Sequence, residues 1–169
     1  MGSSISTHTS IFVFVESEDK NEIVKKLDRD PTKVRRKDPQ DRSPLHYAAA
    51  RGSKEITELL IVRGGAVNGR DKDGRMPLHE ACKNGHLVVA EMLIEQGAEV
   101  NNVDGNRSPI YDACLNGHLE IVEMLISKGA NLALRTKEGT VSDAVENMLK
   151  ESKGNEKLAA ISKFLKEIS

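Results

Sequence analysis

Three stretches of seven residues decide the fold: residues 43–49 read SPLHYAA, residues 76–82 read MPLHEAC, and residues 108–114 read SPIYDAC. Their prolines are spaced by 33 and then 32 residues. Two sets of glycines keep the same spacing, namely Gly52, Gly85 and Gly117, and Gly64, Gly97 and Gly129. Three independent markers in one register indicate a tandem repeat of this length.

Each repeat carries signals for two short helices. Proline suits the first helical turn, because no hydrogen bond needs its backbone N–H there and its ring presets φ. Ser43 and Ser108 come directly before such prolines and are expected to be N-caps. Gly52 and its equivalents are typical of a left-handed helix end. A second apolar helix follows, as in residues 119–126, and the second glycine ends it. Small residues that allow close helix packing recur at Ala48, Ala81 and Ala113.

The register extends more weakly into both flanks. Residues 22–24 lie 33 positions before residues 55–57, and Leu27 lies 33 before Leu60. We therefore expect an N-terminal capping repeat whose first helix, around residues 11–15, has lost the Pro-Leu-His motif. Apolar residues with helical spacing predict a last helix, namely Leu158, Ile161, Phe164, Leu165 and Ile168. Atypical end repeats hide the terminal faces of a solenoid from water.

The repeated segments and their period resemble the T-P-L-H-x-A signature of ankyrin repeats. The resemblance is strong over residues 38–139. It implies an all-α ankyrin-repeat solenoid of about five helix-turn-helix units, three clear repeats plus degenerate N- and C-terminal caps. We predict a flexible N-terminus over residues 1–8 and a single domain over residues 9–169. The predicted repeat boundaries are 9–37, 38–70, 71–102, 103–134 and 135–169.

Composition narrows the function classes. The 25 basic and 26 acidic residues nearly balance, which argues against a nucleic-acid binder. Two cysteines do not make a disulfide framework, so a reducing compartment is expected. The apolar run at residues 11–15 is too short for a signal-peptide core or a transmembrane helix. We expect an intracellular protein of the cytoplasm or nucleus.

The ankyrin resemblance implies that a partner binds the concave face formed by hairpin tips and first helices. Read by register, the expected contacts are Tyr47, Arg75, Glu80, Lys83, Tyr111, Asp112 and Leu115. Tyr111 replaces the signature histidine and could instead be structural. Successive acids at Glu80, Asp112 and Asp143 predict an acidic end for this face, and Arg42 and Arg51 lie toward a basic end. The alternative is a solvated face with ordinary alternating charge.

A narrower resemblance points to the ankyrin domains of Tonsoku-like proteins, which read an unmodified histone H4 tail through an acidic pocket. The positions that match that family are Asp71, His79, Glu80 and Asp112. Arg75 stands where the family has Trp, Lys83 where it has Asn, and Arg42 where it has an acid. These three changes remove an aromatic wall and add positive charge beside a cationic target.

Catalytic and metal-binding interpretations find little support. Cys82 and Cys114 occupy one repeat position, and Ala49 fills it in the preceding repeat, which indicates a small buried slot. His86 and His118 each follow a helix-ending glycine, so they share one position of the repeat. This indicates a structural role for both histidines. The sequence contains no Gly-rich phosphate loop and no nucleophile–base–orienter set. We expect no enzymatic activity, no metal site and no cofactor.

The first residues, MGSSIS, fit the pattern for N-myristoylation of Gly2. One acyl chain binds membranes only marginally, so a second signal is needed. The basic stretch at residues 33–37 could supply it. The alternative is a disordered native start or vector-derived residues. Membrane contact is therefore expected only if Gly2 is acylated.

These observations favour a non-enzymatic scaffold or adaptor that binds another protein or peptide. The alternatives are a regulatory inhibitor that occludes an enzyme surface, a histone-tail reader within a larger chromatin protein, and a fragment whose other domains carry the activity. We expect no nucleic-acid partner and no small-molecule substrate. We expect a monomer.

Overall fold

The computed structural model describes residues 10–103, 107–134, 139–152 and 154–168. These residues form ten α-helices, one 3₁₀-helix and no β-strand. The α-helices are α1 (Ile11–Glu16), α2 (Lys20–Arg29), α3 (Pro44–Arg51), α4 (Lys54–Val62), α5 (Pro77–Asn84), α6 (Leu87–Glu95), α7 (Pro109–Leu115), α8 (Leu119–Ser127), α9 (Val141–Glu151) and α10 (Glu156–Glu167). The 3₁₀-helix, Pro31–Arg35, follows α2.

The helices form two stacked layers. The first helices of the units, α1, α3, α5, α7 and α9, each pack on the next one along the chain. The second helices α4, α6, α8 and α10 form the other layer in the same order. Consecutive helices pack together in pairs, so the chain folds into five helix-turn-helix units. The predicted all-α solenoid is confirmed.

The core lies between the two layers, where repeat-equivalent side chains stack. Leu45, Leu78 and Ile110 occupy one repeat position, and all three are fully buried. The alanines three residues further along, Ala48, Ala81 and Ala113, are also inaccessible to solvent. These small side chains let α3 and α5 pack more extensively than α4 and α6 do. Closer spacing within the layer of first helices curves a solenoid toward that side.

Hydrogen bonds at the helix starts follow the sequence signals. Ser43 N donates to His46 Nδ1 over 3.0 Å. The hydroxyl of Ser108 accepts from Tyr111 N over 3.3 Å, which caps α7 as predicted. Gly85 ends α5 with a φ of +81°, the left-handed geometry expected of a repeat glycine.

Polar side chains join one repeat to the next. His86 Nε2 lies 3.0 Å from the carbonyl oxygen of Ala50, and His118 Nε2 lies 3.1 Å from that of Lys83. A second ladder joins the ends of the second helices: Asn68 Nδ2 donates to Gly97 O, and Asn101 Nδ2 donates to Gly129 O. His86 and His118 are therefore part of the scaffold. The asparagine ladder was not expected from the sequence.

The end units bury the outer faces of the solenoid. Helix α1 packs on α3, with Ile11 and Val15 buried. The predicted last helix is present as α10, which buries Leu158, Ile161 and Leu165. The sequence pattern did not predict the 3₁₀-helix. It forms because Pro31 presets φ in its first turn, where Asp30 caps the backbone N–H of Thr32.

Candidate protein-binding face

The candidate site is the surface of α3, α5 and α7 together with the turns that precede them, which we call the first-helix face. Tyr47 lies on α3, Glu80 and Lys83 lie on α5, and Leu115 ends α7. All four side chains are half-buried. Because α3 packs on α5 and α5 packs on α7, the structure brings these residues onto one surface. Arg75, also half-buried, lies in the turn before α5.

Two residues that we expected on this surface are buried instead. Tyr111 is 2% exposed and Asp112 is 1% exposed. Tyr111 occupies the position of the buried His46 and His79, and its ring is part of the hydrophobic core. Asp112 lies beneath Arg107, whose Nη1 is 3.5 Å from its Oδ1. Neither side chain offers a partner a surface to contact, which corrects the prediction for both.

The predicted acidic end of the face is also weaker than expected. Arg107 lies over the buried Asp112 and compensates its charge. The carboxylate of Asp143 accepts hydrogen bonds from Thr140 N and Thr140 Oγ1, both over 2.8 Å, and so caps α9. The three successive acids are Glu80, Asp112 and Asp143. Among the described hydrogen bonds and ion pairs, only the Glu80 carboxylate lies at the surface with no arginine or capping group bound to it.

A hydrogen-bonded cluster fixes the other end of the face. Tyr47 donates its hydroxyl proton to Asp38 Oδ2 over 2.7 Å. Arg42 donates from Nε to the same oxygen over 2.9 Å and from Nη2 to the Tyr47 hydroxyl over 2.7 Å. The guanidinium lies 4.7 Å from the centroid of the Tyr47 ring. The Phe12 ring also packs on Tyr47, at a centroid distance of 5.1 Å.

The protonation states in this cluster follow from burial and hydrogen bonding. Burial, aided by the hydrogen bond to Asp38, raises the pKa of Tyr47 to about 12. Burial opposes ionisation of Asp38 as well, yet hydrogen bonds from Tyr47 and Arg42 hold its pKa below the usual range. Tyr47 is therefore a neutral phenol with its hydroxyl held inward, and only part of its ring is open to a partner.

The hairpin-tip acids build the turns. Asp71 Oδ1 accepts from Asp73 N and from Arg75 N, both over 2.9 Å. Asp38, which lies 33 residues earlier, accepts in the same way from Gln40 N and Arg42 N. Asp71 is thus a turn-forming residue, as Asx geometry requires, rather than an acid that points to a partner.

An arginine stands at one position of three successive tips, Arg42, Arg75 and Arg107. The first reaches Tyr47 and the last reaches Asp112, each five residues further along the chain. From the sequence, Arg42 was expected toward the basic end of the face and Arg75 as a partner contact. The 33- and 32-residue spacing of the three arginines was the signal that identifies a shared structural position.

The two cysteines have no catalytic setting. Both are buried, and burial raises the pKa of each thiol, that of Cys114 to about 12. Among the described residues, no group of three or more His, Cys, Asp or Glu side chains could hold a metal ion. In the same part of the chain, no helix is long and apolar enough to cross a membrane. Gly2 lies outside the described residues, so its acylation stays a prediction.

Comparison with known families agrees with this arrangement of helices. A family model of ankyrin repeats in three copies matches residues 11–104, and the chain belongs to the ankyrin-repeat family. Such repeats are generally protein–protein interaction modules, and their fold is typically non-enzymatic. A second family model, the LRRK2 ANK repeat, matches residues 66–168, so the C-terminal part of the chain is similar to that repeat region. No curated protein matches the chain.

Proposed function

We propose that this chain is a non-enzymatic interaction module that binds a segment of another protein on the first-helix face. The observation that supports this most is the grouping of Tyr47, Glu80, Lys83 and Leu115, all half-exposed, on three helices stacked side by side. The surface changes from an aromatic side chain on α3 to charged side chains on α5 and an aliphatic one on α7, which suits recognition of a peptide.

The side chains also suggest what the segment contains. Arg42 and Arg75 lie at the tips of the first two clear repeats. The Arg42 side chain stays 39% exposed although it pairs with Asp38, so an acidic residue of the partner fits there. Glu80 favours a basic residue, and Leu115 favours an apolar one. The proposed ligand is therefore a peptide of mixed charge with an apolar residue toward α7.

One observation supports a peptide of mixed charge over a histone H4 tail as the ligand. The pocket implied by the resemblance to Tonsoku-like proteins uses Asp112, and Asp112 is buried beneath Arg107. Titration of a labelled H4-tail peptide separates the two proposals. Saturable binding in the micromolar range that is lost in Glu80→Gln would favour the histone tail after all.

The proposal is tested by a charge swap that leaves net charge unchanged. We would capture partners from cell extract with the wild-type chain and with Glu80→Lys/Lys83→Glu, and quantify them by mass spectrometry. The matched control is Lys163→Glu/Glu167→Lys on α10, where both side chains are exposed and pair with each other. All three proteins should unfold at similar denaturant concentrations.

We expect the wild type and the α10 control to recover one partner equally. The α5 swap should recover at least fivefold less of it, which corresponds to a loss of about 1 kcal/mol of binding free energy. Equal recovery by all three proteins would place the binding surface elsewhere. A regulatory inhibitor would use the same face. It would be distinguished by a captured enzyme whose activity falls when the wild-type chain is added.

A further inference from the structure

The layer of second helices carries an exposed apolar side chain that breaks the pattern of the chain's own repeats. Val62, the last residue of α4, is 77% exposed, the largest fraction among the exposed large hydrophobic residues that the structure describes. The residues at the equivalent position are Glu95 in the next repeat and Ser127 in the one after. Two repeats therefore place a polar residue where this one places valine.

Val62 borders a groove between α4 and α6. The groove has a volume of about 240 Å³, and its lining comprises Glu58, Ile61, Val62, Met92, Glu95 and Gln96. Ile61 and Met92 are half-buried and provide apolar walls. The unbranched, polarizable side chain of Met92 can adjust to different apolar occupants.

The polar part of the groove is acidic. Glu58 and Glu95 both line it, and within the described segments neither forms an ion pair. Arg63, the residue next to Val62, is held away by its ion pair with Asp28, with a nitrogen–oxygen distance of 2.7 Å. An occupant of this groove therefore meets apolar side chains and two carboxylates.

We propose that the groove between α4 and α6 docks a basic amphipathic segment of a partner protein. One large apolar side chain enters beside Val62, Ile61 and Met92, and flanking Lys or Arg residues reach Glu58 and Glu95. Removing Val62 from water supplies the attraction, and the carboxylates select a cationic segment over a neutral or acidic one. This surface lies in the second-helix layer and does not depend on the first-helix face, so the module can hold two segments at once.

The probe is a short fluorescein-labelled helical peptide of Leu, Lys and Ala, with Leu on one face and Lys on both sides of it. A second peptide has Glu in place of every Lys. Binding to the full chain is measured by fluorescence anisotropy, and the binding surface is mapped by amide chemical shifts. We expect saturable binding of the Lys peptide, shifts in α4 and α6, and no binding of the Glu peptide.

Two variants and two controls test the contacts. Val62→Ser installs the residue that the chain itself uses at Ser127, and the control is Val88→Ser, because Val88 is 52% exposed on α6 and is not among the groove residues. We expect Val62→Ser to weaken binding roughly five- to tenfold, as for loss of one apolar contact. Val88→Ser should bind like the wild type.

Glu58→Gln/Glu95→Gln should also weaken binding, with a smaller dependence on salt. Its control is Glu120→Gln/Glu151→Gln, which makes the same charge change at exposed positions outside the groove. Three results would overturn the proposal: no saturation up to about 1 mM peptide, equal affinity of Val62→Ser and Val88→Ser, or shifts confined to α3, α5 and α7. Glu80→Lys/Lys83→Glu should leave this binding unchanged, so failure here is distinguishable from failure of the first-helix face.

Discussion

The imidazole Nε2 of His46 lies 3.1 Å from the backbone carbonyl oxygen of Arg75, 29 residues further along the chain. The other ring nitrogen, Nδ1, accepts the N–H of Ser43. Since Nδ1 must accept, the ring proton is on Nε2 and donates to Arg75. One neutral imidazole thereby caps the start of α3 and ties it to the turn of the next repeat.

Acid should weaken this link. Burial lowers the pKa of His46, although the hydrogen bond to Arg75 acts in the opposite direction. The unfolded chain therefore binds the proton first, and stability should fall as pH drops below about 6.5. The slope contributed by His46 is at most about 1.4 kcal/mol per pH unit.

The free energy of unfolding is measured in urea from about pH 7 to about pH 5, the range in which an ordinary histidine titrates. His46→Gln should be less stable at pH 7 and should show a shallower pH dependence. Asp38 does not interfere, because its lowered pKa confines its effect to more acidic solution. Identical slopes for wild type and variant would show that His46 does not link protonation to folding.

Gly85→Ala should destabilise the protein more than Gly97→Ala. The two glycines have φ values of +81° and +86°, so the backbone strain from an added Cβ is similar. A Cβ at Gly85 would lie 2.6 Å from His118 Cε1, whereas a Cβ at Gly97 meets nothing within 4 Å. We expect about 1 kcal/mol for Gly97→Ala and roughly 2–4 kcal/mol for Gly85→Ala, which also disturbs the bond from His118 to Lys83. Equal losses in chemical denaturation would mean that His118 moves aside freely.

Tyr47→Phe should lower the free energy of unfolding by about 1–2 kcal/mol. The variant removes the hydroxyl that donates to Asp38, a carboxylate whose side chain is only 6% exposed. Packing of the ring against Phe12 is kept, so the loss reports the hydrogen bonds of the hydroxyl, which also accepts from Arg42 Nη2. Denaturant titration of Tyr47→Phe, Asp38→Asn and the double variant gives the coupling between the two side chains. Additive losses would show that the bond contributes nothing.

Cys82 and Cys114 should resist thiol reagents in the folded protein. Both side chains are fully buried, and burial raises the pKa of both thiols, so thiolate is scarce at neutral pH. Ellman's reagent should titrate no thiol in the native chain and both thiols in denaturant. Rapid labelling without denaturant would reveal local opening of α5 and α7.

Much of the architecture was predictable because each repeat contains its own local signals. Pro44, Pro77 and Pro109 set the start of each first helix, and the glycines that end the helices recur in the same register. These signals act over a few residues, so they can be read without knowledge of the packing. The weaker end units were also predictable, because α1 and α10 keep an apolar helical spacing even where the motif is lost.

The surface was harder to predict because exposure depends on neighbours from other repeats. Tyr47, Glu80 and Asp112 share one repeat position, yet only Asp112 is buried. The arginine of the preceding turn does not explain the difference, because it lies over Tyr47 as well as over Asp112. The sequence by itself therefore determined the repeat, the helices and the scaffold role of the histidines and cysteines. Only the tertiary structure decided which charges remain at the surface and where the groove beside Val62 lies. The reason is that surface exposure and the groove both depend on contacts between helices.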